Sequence, residues 1–510
     1  TNGSQSWSSS VAVGKHADLP MVKTTEHLVG MRPYEESLGG KTVPFYDPGS
    51  RAERVPEAEG RSYGWVGFRD LDPSNAETKE NLVLGVIPGL DSLEGIRFKE
   101  EGGSIVVTVS KNLEGVTSQK PVTFKIFLGD AKPERQETES GKPKIVNQYA
   151  DLMMGFSKEL SKLVGSIPLM KDRAIGFSWA AYGPGITQEI IQKEIEAGKG
   201  VYDTYVIDDG WETDSGSFQV DTKKFPNFAD LPRQMKEAGI EHPGLWAAPF
   251  KIKGKSAKQF YKLHKEWFMK DEHGKPASLP IPGEGSLMLD ISIPEVREYL
   301  ALNFLNLAKM GYETFKMDFL AVPFTGSLKN KDKTSVEYYR QTFEGIRQRI
   351  REVLGKEIEV IGCGAPMMES IGLFNGMRMT GDSALPNLEA WPGIGKAVPF
   401  LKKIPFLSKW YSGKNTDMYH DDAAVGGRRA LPLHGSFGLI WDGVHLADEG
   451  VPLNADKRDR LNQSILALNS LGIGNLFVGD SMARVGEQGR QIWKGFISKF
   501  KNTRLLSKLQ

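Results

Sequence analysis

The feature that most constrains the fold is an alternation of short apolar segments with amphipathic helical segments, which runs from residue 173 to residue 484. Short apolar segments between turn residues are typical of buried strands, and apolar residues three and four apart are typical of helices that pack on a sheet. Eight strand candidates occur, each spaced for a βα unit. This pattern predicts a parallel (β/α)8 barrel, a TIM barrel, rather than an open doubly wound sheet.

The predicted barrel strands are 174–180, 205–209, 243–250, 314–320, 359–363, 376–382, 437–441 and 474–478. The predicted helices are 187–197, 231–238, 257–268, 294–310, 336–354 and 455–471. The stretch 389–422 interrupts the pattern, and its prolines exclude one long helix. It is interpreted as a long insertion over the barrel mouth, either a packed surface excursion or a lid that faces the substrate.

The chain before the barrel has a different pattern, in which β-like runs alternate with turn residues at 63–68, 82–87, 104–109 and 121–128. This spacing predicts an all-β sandwich. Apolar residues at helical spacing between 146 and 164 then predict one helix. We therefore expect a sandwich over 1–144, a linking helix over 145–172, the barrel over 173–484 and a carboxy-terminal remnant over 485–510.

The amino-acid composition limits the classes of partner that the chain is expected to bind. The chain has 65 Lys and Arg against 64 Asp and Glu, so it lacks the basic surplus that binds nucleic acid or an anionic membrane. No segment reaches the ~18 apolar residues of a membrane helix. A neutral small molecule is the expected partner, and the sequence does not indicate an oligomeric state. A single cysteine fits a reducing compartment and so favours the cytoplasm.

The sequence lacks the glycine motifs that are typical of nucleotide-binding sites. Neither GxGxxG after a strand nor GxxxxGK[ST] occurs, which disfavours a nucleotide enzyme. His420, Asp421 and Asp422 are contiguous, and no second His lies four residues away, so a solvated loop is favoured over a metal site. We expect neither a metal nor an organic cofactor.

Carboxylates and tryptophans lie at the expected carboxyl ends of several strands, which is where active sites of such barrels lie. One Asp at a strand end could cap the next helix, but capping does not explain several of them beside Trp and Lys. Carboxylates accept sugar hydroxyl protons, and an indole face covers the apolar face of a pyranose. The pattern therefore predicts a sugar site.

Glycoside hydrolysis uses two carboxyl groups that flank the anomeric carbon. Asp318 is two residues after Lys316, so on a strand the two side chains share a face and the cation favours the ionised carboxylate. That state suits a nucleophile. Asp382 follows Gly381 where the chain leaves its strand, four residues after Arg378, and is a candidate for the acid that protonates the leaving oxygen.

Taken in order, several runs resemble glycoside hydrolase family 36, the retaining α-galactosidases, which are related to raffinose synthases. They are Val206 to Trp211, Pro243 to Phe250, Phe315 to Leu320, Gly362 to Pro366 and Gly376 to Asp382, and Asn2 to Trp7 resembles a β-domain loop of that family that reaches the barrel mouth. The resemblance implies that Asp318 is the nucleophile and Asp382 the acid/base. It implies a substrate site formed by Asp208, Asp209, Trp246, Lys316, Cys363, Arg378, Trp7, Trp211 and Asp442.

The sequence departs from the family in three places. Only Asp442 remains of an Asn-Asp-Pro-Asp run, Gly176 to Trp179 replaces a Trp-Cys-Ser-Trp pattern, and the residues after Asp480 are too few for a further β domain. We expect a retaining, exo-acting α-galactosidase. The alternatives are a galactosyltransferase like the raffinose synthases, an α-N-acetylgalactosaminidase, and a carbohydrate-binding protein without catalysis.

Overall fold

The structure is a computed structural model of the 510-residue chain. It describes residues 149–379 except 272 and 280–284, and then residues 433–444, 446 and 474–507. In the amino-terminal region it describes 6–15, 28–30, 37–38, 41–42, 59–62, 64–68, 81–101, 104–113, 123–131, 134–137 and 143–146.

The amino-terminal region is formed by β-strands. They are β1 (Ser6–Lys15), β2 (Leu28–Gly30), β3 (Ser37–Leu38), β4 (Lys41–Thr42), β5 (Glu59–Ser62), β6 (Trp65–Phe68), β7 (Asn81–Ile87), β8 (Leu93–Glu101), β9 (Ser104–Asn112), β10 (Lys125–Ala131), β11 (Glu134–Glu137) and β12 (Pro143–Val146). Two four-stranded antiparallel sheets have the orders β1-β9-β8-β5 and β10-β7-β6-β2, and β3-β4 and β11-β12 form two-stranded sheets. The all-β prediction for this region is confirmed.

Side chains of β7 alternate between two buried faces. Leu82, Leu84 and Val86 share one face, while Val83 and Gly85 share the other. A Cβ on Gly85 would lie 2.4 Å from the ring of Phe156 in helix α1 (Tyr149–Ser161). Helix α1 therefore packs closely on this sheet, and Val83 and Phe156 belong to an apolar cluster that continues into the barrel.

Eight parallel strands form a closed barrel. In order around the ring they are β13 (Arg173–Phe177), β14 (Thr204–Ile207), β15 (His242–Ala247), β18 (Thr314–Met317), β19 (Glu359–Gly362), β20 (Gly376–Arg378), β21 (Gly438–Val444) and β22 (Asn475–Val478). Every residue of β14, β18 and β22 is buried, as expected for strands covered on both faces. The ring closes where Ile175 pairs with Phe477. The barrel prediction is confirmed.

Helices surround the barrel, and a small antiparallel sheet of β16 (Lys251–Ile252) and β17 (Leu287–Met288) lies on the connection after β15. The helices after α1 are α2 (Trp179–Tyr182), α3 (Gln188–Ala197), α4 (Leu231–Glu237), α5 (Gly254–Leu263), α6 (Pro294–Lys309), α7 (Ser335–Leu354) and α8 (Gly486–Ser507). Short 3-10 helices occur at Gly183–Gly185, Phe228–Asp230, Lys265–Trp267 and Val322–Phe324.

Capping interactions explain where helix α7 begins and ends. Thr334 and Glu337 form a reciprocal capping box at the start of α7, and Gly355 ends the helix with a left-handed φ of 61°. The Thr334 hydroxyl also donates to the backbone oxygen of Asp91, which connects the barrel to the amino-terminal region.

Some boundaries differ from the sequence-based ones. The first strand ends at Phe177, because residues 179–182 form helix α2, and the predicted helix 257–268 is divided into α5 and a 3-10 turn. The predicted helix 455–471 and the insertion 389–422 lie outside the described residues.

The segment 485–510, expected to be a remnant, contains helix α8. Trp493 and Phe500 of α8 are fully buried, and the Trp493 indole donates to Asp480 Oδ2 at 2.9 Å. Because Asp480 follows β22, these contacts place α8 in the helical layer of the barrel. Within the part of the chain that the structure describes, no helix has the length and apolar character needed to cross a bilayer.

Candidate active site

Most of the residues singled out in the sequence lie together at the carboxyl ends of the barrel strands. They are Asp208 and Asp209 after β14, Trp246 in β15, Lys316 and Asp318 at the end of β18, Cys363 after β19 and Arg378 at the end of β20. Parallel strands direct their carboxyl ends to one face of the barrel, so separate parts of the chain meet there.

Asp318 is a partly exposed carboxyl group at this face. Its Oδ1 accepts a hydrogen bond from the backbone N–H of Phe319 at 2.7 Å, and its Oδ2 accepts one from the Trp246 indole at 3.3 Å. Burial acts to raise its pKa, but the charges of Arg378 and Lys316 and the two hydrogen bonds lower the pKa below the ordinary value of 3.8. Asp318 is therefore a carboxylate at neutral pH.

Lys316 and Asp208 form a buried ion pair beside Asp318. The Lys316 ammonium lies 2.7 Å from Asp208 Oδ2, and both side chains are less than 4% exposed. The ammonium also lies 5.2 Å and 5.4 Å from the ring centroids of Phe177 and Phe477. Burial acts to lower the pKa of Lys316, but Asp208 and other nearby groups raise it above its usual value. A positive charge is thus fixed next to the Asp318 carboxylate.

The chain takes an unusual backbone conformation directly after Asp318. Phe319 has a φ of 56°, which costs about 1–2 kcal/mol for a residue with a Cβ. Hydrogen bonds hold both sides of the turn, from Asp318 N to Ala247 O at 2.9 Å and from Ala321 N to Gly364 O at 2.8 Å. The Phe319 N–H that enters this turn is the one that donates to Asp318 Oδ1.

Trp211 and Cys363 were expected to line the pocket, and in the structure both side chains are fully buried beside other residues of the candidate site. The Trp211 indole donates to the Trp246 backbone oxygen at 2.9 Å, and its ring stacks on Phe228 at 5.1 Å. Cys363 belongs to the apolar cluster inside the barrel and donates its backbone N–H to Met317 O. Trp211 therefore supports the strand that carries Trp246.

Asp209 is partly exposed and lies close to Glu212, a buried carboxyl group that the sequence analysis did not identify. Glu212 accepts the backbone N–H groups of Gly216 at 2.9 Å and Phe218 at 2.6 Å. Burial, together with Asp209, raises the pKa of Glu212 to about 8, although these hydrogen bonds and Lys251 act to lower it. Glu212 thus shapes the loop that follows Asp209.

Ser178 is another contributor that the sequence analysis did not single out. Its hydroxyl oxygen, fully buried after β13, accepts the backbone N–H of Asp208 at 2.9 Å. The sequence feature that could have identified Ser178 is its position at a strand end, within the Gly176 to Trp179 run.

For three of the predicted site residues, Asp382, Trp7 and Asp442, the structure does not describe the side chain. Asp382 lies outside the described residues, as do His420, Asp421 and Asp422. Trp7 lies in β1 and Asp442 in β21, but only the course of their strands is described. Among the residues that the structure describes, no group of three or more His, Cys, Asp or Glu is arranged to hold a metal ion.

Known proteins resemble this barrel in sequence and in structure. The family model described as "Glycosyl hydrolases family 31 TIM-barrel domain" matches residues 168–396. The barrel is a glycoside hydrolase barrel. Over 128 residues the chain is 33% identical to "A type blood alpha-D-galactosamine galactosaminidase" of Flavonifractor plautii. That match covers 24% of this chain, and the chain spans about a tenth, 11%, of that relative.

Solved α-galactosidases share the fold over almost the whole chain. The α-galactosidase TtGalA of Thermus thermophilus, in complex with p-nitrophenyl α-D-galactopyranoside, has a TM-score of 0.62 at 17% identity, covering 96% of this chain and 92% of that one. The family 36 α-galactosidase AgaA of Geobacillus stearothermophilus has a TM-score of 0.59 at 13% identity, covering 94% and 61%. The family model names family 31, whereas AgaA belongs to family 36.

Proposed function

We propose that the chain is a retaining, exo-acting α-galactosidase of the family 36 type, which hydrolyses terminal α-D-galactosyl residues. The observation that carries the proposal is Asp318, a carboxylate of lowered pKa at the carboxyl end of a strand in a glycoside hydrolase barrel. The complexes of the Thermus thermophilus enzyme with p-nitrophenyl α-D-galactopyranoside and with stachyose support galactosides as the substrate class.

In the proposed reaction Asp318 attacks the anomeric carbon as the bond from that carbon to the glycosidic oxygen breaks. Asp382 gives its proton to the departing oxygen, and a galactosyl ester of Asp318 forms. Asp382, now a carboxylate, takes a proton from water as the water oxygen attacks the anomeric carbon and Asp318 leaves. Two inversions retain the anomeric configuration. The low pKa of Asp318 supports its role as the group that starts the reaction ionised.

The residues proposed to bind galactose combine fixed charge with apolar surface. Asp208, Asp209 and Lys316 would hold hydroxyl groups, with Arg378 near them, and Trp246 would cover an apolar face of the ring. Trp7 and Asp442 are proposed to complete the site on the basis of the family resemblance alone. The buried Lys316–Asp208 pair supports this assignment, because its polar groups are already fixed before substrate binds.

The experiment that tests the nucleophile is azide rescue of Asp318→Ala on an aryl α-galactoside. Hydrolysis should fall by several orders of magnitude, and azide should restore turnover with β-galactosyl azide as the product, because azide replaces the missing carboxylate. Asp382→Ala should instead give α-galactosyl azide, because azide then intercepts the galactosyl ester.

Asp230→Ala is the matched control, since Asp230 is exposed at the start of α4, on the helical layer. This variant should retain wild-type turnover. Near-wild-type hydrolysis by Asp318→Ala would contradict the assignment of the nucleophile. If NMR of the wild-type reaction showed β-galactose as the first product, the retaining mechanism would be contradicted. Measurable galactose binding without any turnover would favour the non-catalytic alternative.

A second candidate is hydrolysis of α-linked galactosamine derivatives, which the Flavonifractor plautii relative favours. The two activities differ only at the 2-position of the sugar. Comparing kcat/KM for aryl α-galactoside, α-galactosaminide and α-N-acetylgalactosaminide separates them. Including a sugar acceptor in the same assay distinguishes hydrolysis from galactosyl transfer.

A further inference from the structure

Lys251 is a buried cation beside the candidate site that the proposed reaction does not use. It lies in β16, is 2% exposed, and is held by the pairing of β16 with β17, where it faces Met288. The Gly216 segment also packs against its backbone, since a Cβ on Gly216 would lie 1.8 Å from Lys251 O. The lysine therefore projects from a rigid support.

The Lys251 ammonium lies over the ring of Phe319, 3.8 Å from the centroid. An ammonium over an aromatic face is attracted to it, and the attraction is strongest where water is excluded. Phe319 also packs against both apolar clusters of the barrel. Lysine and apolar core together hold the ring of the residue whose backbone is left-handed.

We propose that Lys251 is a positioning residue: by holding the Phe319 ring it holds the Phe319 backbone, whose N–H donates to Asp318 Oδ1. The inference rests on the proposed role of Asp318 as nucleophile. Lys251 acts through Phe319, because its ammonium lies over the Phe319 ring and the Phe319 N–H donates to Asp318 Oδ1.

Lys251→Met tests this proposal, because it removes the charge and keeps an unbranched side chain. We expect kcat on an aryl α-galactoside to fall on the order of tenfold, because a misplaced nucleophile slows attack. KM should change by less than about twofold, since the lysine does not bind substrate. Lys251→Arg should restore most of kcat, because a guanidinium also stacks on an aromatic face.

A double-mutant cycle with Phe319→Leu shows whether the two residues act together. Leucine keeps apolar bulk and removes the aromatic face. If Lys251 acts through Phe319, the double variant should lose no more kcat than the worse single variant. Losses that multiply, or a rise in KM with kcat unchanged, would overturn the proposal.

Two further measurements keep the test decisive. Thermal unfolding of each variant shows whether it is folded. If Lys251→Met does not fold, Phe319→Leu alone carries the test, and an unchanged kcat in that variant overturns the proposal. Azide rescue of Asp318→Ala is independent of Lys251. Loss of that rescue would reject the proposed function, whereas rescue combined with a normal kcat for Lys251→Met would reject only the positioning role.

Discussion

At the scale of residues, one carboxylate takes its properties from charges on other strands. Asp318 follows β18, and Arg378, which lowers its pKa, ends β20. At this edge of the barrel the charges alternate: Asp208 after β14 is negative, Lys316 in β18 is positive, and Asp318 after β18 is negative. The arrangement keeps Asp318 ionised even though burial opposes ionisation.

This dependence predicts a pH effect. In Arg378→Gln the pKa of Asp318 should rise, because a neighbouring positive charge is lost, so a smaller fraction is ionised at acidic pH. The acidic side of the kcat/KM profile should therefore move to higher pH. Arg349→Gln, at an exposed ion pair with Glu298, is the control and should leave the profile in place. An unshifted profile for Arg378→Gln would show that Asp318 ionisation does not limit activity.

At the scale of elements, the loop after β14 depends on a close backbone approach. Gly216 and Gly239 both have a φ of 81°, but a Cβ on Gly216 would meet Lys251 O at 1.8 Å, whereas nothing lies within 4 Å of one on Gly239. Gly239→Ala should cost about 1 kcal/mol from the left-handed φ alone. Gly216→Ala should cost at least about 2 kcal/mol more, because the Lys251 backbone must move.

Urea unfolding of the two glycine variants measures the difference in stability. Assays of kcat/KM should also show a loss for Gly216→Ala alone, because Lys251 and Glu212 lie on the displaced segments. Equal losses of stability would mean that the loop relaxes without cost.

The elements differ in how far the sequence predicts them. All eight barrel strands were found because strands buried on both faces are mostly apolar, as in Thr204–Ile207, where every residue is buried. Helix α2 was missed because Ser178 is the one polar residue between two apolar stretches, which is too small a break in the pattern to mark the end of a strand. Trp211 was assigned to the pocket from the sequence, which does not reveal that its indole donates to the backbone oxygen of Trp246.

Other site features depend on distant parts of the chain. The left-handed Phe319 has no local signature, since its turn is held by hydrogen bonds to Ala247 and Gly364. The sequence around Glu212 and Lys251 does not indicate that these residues are buried, because their burial comes from the packing of separate loops. Asp318, Lys316 and Asp208 were predictable because strand alternation and barrel geometry suffice to bring them to one edge.

At the scale of the whole molecule, the net charge of +1 leaves little long-range field for a neutral sugar. For an aryl α-galactoside, kcat/KM should change by less than about twofold between ~0.02 and ~0.5 M NaCl, because screening acts only between charges. An amino sugar carries a positive charge, so its kcat/KM should fall with salt if site carboxylates attract it. A fall of several-fold with the neutral galactoside would contradict this expectation.

The closure of the barrel by its first and last strands affects the nascent chain during synthesis. Arg173 of β13 donates its backbone N–H to the Asn475 side chain, 302 residues later, in the pairing of the first and last strands. At about 5–20 residues per second, a ribosome takes ~15–60 s to synthesise the intervening chain. During that time the nascent sheet has two open edges that can pair with other chains. We therefore expect truncation before β22 to leave an aggregation-prone fragment, because both edges of its sheet stay open.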